Sequence, residues 1–270
     1  MIASHVSQAV LWSLGGLYVL LAVASAALWW IRRRHPAKDY TELAQRTRSW
    51  WLMVSVFTVA MLMSRTVSLV FFGFISYLAL KEYLSIIPTR RADRRVLFWA
   101  YLAIPLQYYW AATAWFGMFA VFIPVYVFLL LPMRMVLIGD TKHFLRAVGT
   151  IHWGLMTTVY SISHVAYLMV LPAEGNPGAG GAGLVLYLVF LTQFNDVAQY
   201  TWGKLFGCHK VTPNVSPKKT WEGLIGGVLT TTALAAVLGP YLTPMDHTWS
   251  AAAGAVLGIA GFLGDITISA

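Results

Sequence analysis

Gln193 to Gly223 reads QFNDVAQYTWGKLFGCHKVTPNVSPKKTWEG, and the rest of the chain is organised around this stretch. It begins as a polar half-helix set in an apolar segment, with Gln193, Asn195, Asp196 and Gln199. A loop follows that carries Lys204, Lys210, Lys218 and Lys219. Ser216-Pro217 reads as a helix start, with Ser as N-cap and Pro at the first helical position. Lys218 and Lys219 are then expected at the next two helical positions. Two ammonium groups beside the positive end of a helix disfavour the helix. The same arrangement, with its free backbone N–H groups, is a landing place for a polyphosphate. The competing reading is an ordinary basic loop beside a membrane.

The composition decides between solvents. The 270 residues are 59% hydrophobic and 11% charged, with a mean hydropathy of +0.67. Soluble domains carry about 25% charged residues, so an all-α, polytopic membrane bundle is expected. The formal charge of +9 does not point to nucleic acid, because the basic residues fall in short clusters between apolar runs. About nine spans are read: Val6–Ile31, Trp50–Met63, Thr66–Ile87, Val96–Ala112, Ala114–Leu131, Ala147–Leu171, Leu184–Trp202, Glu222–Leu238 and Trp249–Ser269. A connector with a helical look over Tyr40–Arg48 precedes the second, and Pro105 and Pro124 lie inside the fourth and fifth. The first span lacks a basic leader and is followed by Arg32-Arg33-Arg34, so it reads as a signal anchor with its N-terminus outside. Four inside regions then hold 6, 4, 3 and 4 Lys and Arg, 17 of the 19, as the positive-inside rule requires. Arg65 is the exception among the loops. The C-terminus, the lysine loop, Asp196 and Asp265 come out on the cytoplasmic side. Two regions are expected: 1–146, with about five spans and basic loops, and 147–270, with about four spans and a nucleotide-binding loop at 203–222.

Several side chains are candidates for chemistry. Asp196, Tyr200 and Lys204 are spaced to share one helix face, and Asp196 is deep for a carboxylate, which marks a functional group in a membrane. Gly254, Gly258 and Gly261 form a small-residue stripe that lets another backbone approach. That packing would bring Asp265 beside the helix that carries Asp196. Two carboxylates near a polyphosphate offer the hard oxygen ligands that magnesium needs. Glu222 reads equally as a helix-dipole partner or a site group. His209 reads as a solvated loop residue. His152 and His164 lie about 120° apart around one helix and suggest no joint metal site. The single Cys208 excludes an internal disulfide. No Walker-type loop and no Ser-His-Asp set is legible.

The stretch resembles the nucleotide-binding region of the phosphatidate cytidylyltransferase family, also called CDP-diacylglycerol synthases. The matching residues are Asn195-Asp196, Gly203-Lys204, Phe206-Gly207, His209-Lys210 and the octapeptide Ser216 to Gly223, SPKKTWEG. Gly264-Asp265 is a second match, and the first half resembles the family only as a generic bundle. The resemblance implies transfer of a cytidylyl group from CTP to phosphatidate, with magnesium as cofactor and room for a second cation. It implies Asp196, Lys204 and Asp265 as catalytic groups, with Asp265 and Asp196 on the metal. Asn195, Lys210, Ser216, Lys218, Lys219, Thr220 and Glu222 are implied as CTP contacts. The expected setting is the inner membrane, with the bilayer as partner, a homodimer as the assembly and no nucleic acid. In the family the Gly-Asp pair opens a longer signature with a further metal-binding aspartate, whereas here the sequence stops at Ala270. A truncated chain is expected, ahead of a degenerate relative that binds without turnover. A transporter or lipid-binding scaffold, and a CTP-dependent enzyme with another lipid acceptor, stay open on the residues alone.

Overall fold

The computed structural model describes residues 6–35, 39–87, 94–139 and 143–269. Lys38, Arg90, Arg91 and Lys142, which the charge count assigns to inside loops, lie outside the described residues. The helices are α1 (Gln8–Arg34), α2 (Thr41–Met63), α3 (Arg65–Ile86), α4 (Arg94–Ala112), α5 (Phe116–Val121), α6 (Phe128–Ile138), α7 (Phe144–Gly154), α8 (Ser161–Tyr167), α9 (Gly180–Phe206), α10 (Trp221–Leu242) and α11 (His247–Ser269). Single π-helical segments, Phe122–Val127 and Leu155–Tyr160, join α5 to α6 and α7 to α8. Among the described residues six helical rods are long and apolar enough to cross a membrane: Gln8–Arg34, Arg65–Ile86, Phe116–Ile138, Gly180–Phe206, Trp221–Leu242 and His247–Ser269. The protein is a multi-pass, helical membrane protein.

The boundaries differ from the sequence reading in two informative places. The helical connector and the second apolar segment are one helix, α2, because neither Gly nor Pro interrupts Thr41 to Met63. The Asp39 carboxylate accepts from the Thr41 N–H (2.8 Å) and hydroxyl (2.5 Å) ahead of that helix. These two bonds, with a smaller contribution from Arg32, hold Asp39 below the usual carboxylate range. The fifth segment does not stop at Leu131. It runs through Pro132 to Ile138 and ends at Gly139, whose φ of 84° is left-handed. The π-helical turn contains Pro124, and such a turn re-spaces the hydrogen bonds that a proline interrupts.

Two compact units are present. In the unit Val19–Leu171, buried polar bonds tie the helices. The Ser76 hydroxyl bonds Tyr108 Oη (2.8 Å), and Gln107 Nε2 donates to the Phe119 carbonyl and to Ser163 Oγ, both at 3.1 Å. Arg65 donates to the Val170 carbonyl at 3.3 Å, which joins the start of α3 to the segment after α8.

The other unit comprises Val6–Tyr18 and the chain from Pro172 onward, and its heart is α9, α10 and α11. Along α10 the buried positions are Gly223, Gly227, Thr231, Ala235, Gly239 and Leu242, small at every fourth residue until the end. On α11 they are Ser250, Gly254, Gly258 and Phe262. Such four-residue ridges of small side chains allow close helix crossings in a membrane. A Cβ at Gly254 would collide with the Ala235 Cβ and lie 3.1 Å from the Thr231 carbonyl oxygen. A Cβ at Gly264 would meet nothing. Gly254→Leu is therefore expected to destabilise the fold by about 1–3 kcal/mol through overpacking, while Gly264→Ala leaves it unchanged or slightly more stable. Thermal unfolding of both variants in detergent measures this, and equal midpoints would disprove the tight crossing.

Candidate active site

α9 ends at Phe206, and Gly207 closes it with its N–H on the Gly203 carbonyl (3.1 Å). The chain then forms a short antiparallel ribbon, β1 (Lys210–Thr212) and β2 (Ser216–Thr220), paired Lys210 to Thr220 and Thr212 to Ser216. This corrects the expected helix start at Ser216, and it adds one short ribbon to an otherwise all-α membrane bundle. Lys218 and Lys219 lie on a strand. The N-cap is Thr220, whose hydroxyl accepts from the Gly223 N–H at 3.2 Å. Thr220 outcompetes Ser216 because pairing with β1 holds Ser216 to Thr220 extended, and Pro217 is tolerated in a two-stranded ribbon that is all edge.

The ribbon is clasped to α9 through residues without bulk. A Cβ on Gly223 would lie 2.9 Å from the Gln199 carbonyl oxygen and 3.2 Å from the Gly203 Cα. A Cβ on Gly207 would lie 2.8 Å from the Thr220 hydroxyl oxygen. Gly203, Gly207, Thr220 and Gly223 thus form the joint where α9, β2 and α10 meet. Glu222 ties the outer side: its Oε1 lies 2.6 Å from His209 Nδ1, and both carboxylate oxygens accept from the His209 backbone N–H (3.2 and 3.3 Å). The Trp221 N–H donates to the His209 carbonyl at 3.0 Å. His209 is solvated, as the loop position suggests, and also bonded to Glu222.

On a strand, successive side chains point to opposite faces. Lys218 is exposed, while Lys219 turns inward, paired with the Asp265 carboxylate of α11 and 5.8 Å from the Phe262 ring centroid. Asp196, exposed on α9, lies within electrostatic range of both Asp265 and Lys219 without a direct bond to either among the described residues. Of the expected group the structure pairs Lys219 with Asp265, with Asp196 in electrostatic range and Lys218 turned outward. Asn195 goes elsewhere. It is fully buried, donating to the Gly258 carbonyl (3.3 Å) and accepting from the Thr231 hydroxyl (3.1 Å), so it joins α9, α10 and α11 from within. Gln199 is buried beside it, with Nε2 3.5 Å from the same carbonyl and Oε1 without a hydrogen-bond partner. Lys204 is exposed, with its ammonium 5.7 Å from the Tyr200 ring centroid. Lys210 is exposed and Ser216 half-buried on the ribbon. Among the described residues no group of three or more His, Cys, Asp or Glu gathers to hold a metal.

The sequence reading missed the clasp. Its signal was the pair Gly203 and Gly207, one turn apart, with Thr220 and Gly223 at N-cap spacing.

Helices of membrane-spanning length that carry a basic ribbon paired with a carboxylate define the class, a multi-pass membrane protein. The family-wide profile described as "Cytidylyltransferase family" matches residues 44–270, and the chain belongs to that family. It is 42% identical over 258 residues to "Uncharacterized protein YnbB" of Escherichia coli (strain K12), covering 96% of this chain and 84% of that protein. It is also 34% identical over 104 residues to a phosphatidate cytidylyltransferase of Mycobacterium leprae (strain TN), 38% of this chain and 31% of that protein. A 55-residue stretch is 46% identical to the phosphatidate cytidylyltransferase of Haemophilus influenzae, 20% of this chain and 19% of that one. The aligned stretches thus span less than a third of these two named transferases.

The Glu222 contacts give a local prediction. Glu222→Ala is expected to speed amide hydrogen exchange at His209 several-fold, whereas Lys210→Ala leaves it unchanged. Exchange at single-residue resolution on the detergent-purified protein checks this, and an unaltered rate in Glu222→Ala would break the proposed tie.

Proposed function

We propose that this protein transfers the cytidylyl group of CTP to phosphatidate, forming CDP-diacylglycerol and releasing pyrophosphate. The observation that carries this reading is the inward-facing Lys219 on Asp265, with Asp196 in the same electrostatic group, within a member of a cytidylyltransferase family.

The chemistry asks little of a base. A phosphate oxygen of the lipid attacks the α-phosphorus of CTP, the bond from that phosphorus to the bridging oxygen breaks, and pyrophosphate leaves with the electron pair. No proton has to move. Catalysis is then positioning and charge neutralisation. Lys219 holds a phosphate oxygen from inside the ribbon, and Lys218, Lys210 and Lys204 supply positive charge to the triphosphate from exposed positions. Thr220 and Asn195 support the reaction through the fold, since the hydroxyl and amide are occupied within it. Asp196 and Asp265 suit a magnesium ion held by one or two carboxylates, with phosphate oxygens and water completing the shell. When bound, that ion stabilises charge on the α-phosphate and on the leaving group. The nine-span topology, with the site toward the cytoplasm at the inner membrane, belongs to this proposal, because CTP is a cytoplasmic substrate and the basic clusters are one-sided.

The test supplies phosphatidate in mixed micelles, magnesium and CTP labelled at the α-phosphate to the purified protein. Labelled CDP-diacylglycerol and equimolar pyrophosphate are expected, and chelation abolishes both. Lys219→Ala and Asp265→Asn should each lower turnover about 10²–10³-fold, and Lys218→Ala by less than about tenfold. Absence of pyrophosphate release overturns the reading. Release with another lipid phosphate but not with phosphatidate keeps the transfer and replaces the acceptor.

A further inference from the structure

We infer that the unit Val19–Leu171 carries a binding site for one anionic glycerophospholipid, held between the end of α1 and the start of α2. The site does not rest on the transferase reading.

The cavity there has a volume of about 540 Å³, within the range of about 300–1,000 Å³ that small-molecule sites occupy. Trp29, Arg32 and Arg33 line it from α1, and Arg48 and Trp51 from α2. The Trp51 indole N–H donates to the Ser25 hydroxyl at 3.0 Å, which joins the two helices below the arginines. The Arg33 guanidinium lies 4.1 Å from the Trp29 ring centroid.

Charge identifies the occupant. Among the described residues none of Arg32, Arg33 and Arg48 has a carboxylate within ion-pair distance. The acidic groups nearby in the chain are committed: Glu42 pairs with Arg46 at 2.6 Å, and Asp39, whose charge Arg32 influences, is turned onto Thr41. Three like charges around one cavity repel one another until an anion enters. The hydroxyls of Ser25 and Thr47 are bonded to carbonyls of their own helices, and the rest of the wall, Leu28, Trp29, Ala44 and Trp51, is apolar or aromatic, so a free phosphate would leave it uncovered. A phospholipid satisfies both halves: its phosphate meets the guanidiniums and its glycerol and upper acyl chain lie on the tryptophans. Tryptophan at the membrane–water interface and basic pockets between membrane helices are the features that recognise such lipids. The candidate catalytic groups all belong to the other unit, and none of them lines this cavity.

Native mass spectrometry of the full chain in detergent, titrated with phosphatidylglycerol or phosphatidylcholine, tests the site. One phosphatidylglycerol is expected to bind at least about tenfold tighter than phosphatidylcholine, and the double variant Arg32→Gln/Arg48→Gln to bind it about thirtyfold more weakly, at about fivefold per charge. Arg46→Gln, outside the lining, should change nothing. Ala44→Phe fills the cavity with every arginine retained and should also lose the lipid, which keeps the test decisive if the double variant misfolds. Equal affinity for the two lipids, undiminished binding in Ala44→Phe, or displacement of phosphatidylglycerol by millimolar inorganic phosphate would each overturn the inference.

Discussion

Contact between the backbones of α9 and α10 is the constraint from which the candidate site follows. In a bilayer, apolar side chains gain nothing by leaving lipid for one another, so helices associate through close packing and buried hydrogen bonds. Gly203 and Gly223 supply the closeness, and Asn195 supplies the bonds. Its amide reaches the Gly258 carbonyl of α11 while its oxygen accepts from Thr231 of α10. A Cβ on Gly261 would lie 2.9 Å from that amide nitrogen, so the glycine stripe of α11 exists partly to admit Asn195. Once these three helices are locked, Asp196 and Asp265 come within electrostatic range of each other. One turn separates Asp265 from Gly261, and Asp196 directly follows Asn195.

The ribbon converts that scaffold into a site. Had Ser216 started a helix, Lys218 and Lys219 would have been separated by about 100° at one helix end, both beside free N–H groups. A strand instead sends them to opposite faces, and only Lys219 is delivered to the carboxylates. The cost of mutual repulsion between Asp196 and Asp265 is then offset by an ammonium rather than by a helix dipole. Glu222, in the first turn of α10, still lies where a negative charge favours a helix start, but its oxygens serve the His209 end of β1. The same residue therefore stabilises both the helix and the ribbon that precedes it.

How far this was legible in the sequence depends on the kind of signal. Apolar length is additive along the chain, so the long helices and their approximate centres could be read directly. Ends were harder. Pro132 reads as a stop but continues α6, because membrane helices tolerate proline where neighbours satisfy the freed carbonyls. The group of Asp196, Asp265 and a lysine was legible because ionisable residues are rare in such segments and the glycine spacing aligned them. The ribbon was not, since Ser-Pro at a helix start and Ser-Pro on an edge strand share the same local chemistry. Pairing with Lys210–Thr212 decides between them, and that is a non-local fact. Asn195 was misjudged for a similar reason: a polar side chain next to Asp196 looks like a ligand contact until the third helix is seen to occupy both of its ends.

The Lys219–Asp265 pair itself argues for exchange rather than permanence. Its side chains keep 23% and 45% of their accessible surface, so water or head groups screen it, and pairs of this exposure contribute about 0–1 kcal/mol. A buried structural pair would be far harder to separate, because each partner would be left desolvated. In the proposed reaction the triphosphate would offer Lys219 a stronger acceptor than one carboxylate, and Asp265 and Asp196 would be the residues left to hold a cation. The exchange keeps every charge compensated throughout. A site built on a buried, fully satisfied pair could bind nothing without first losing that pair. This one, held in place by glycines and an asparagine rather than by its own charges, can change partners while its scaffold stays as it is.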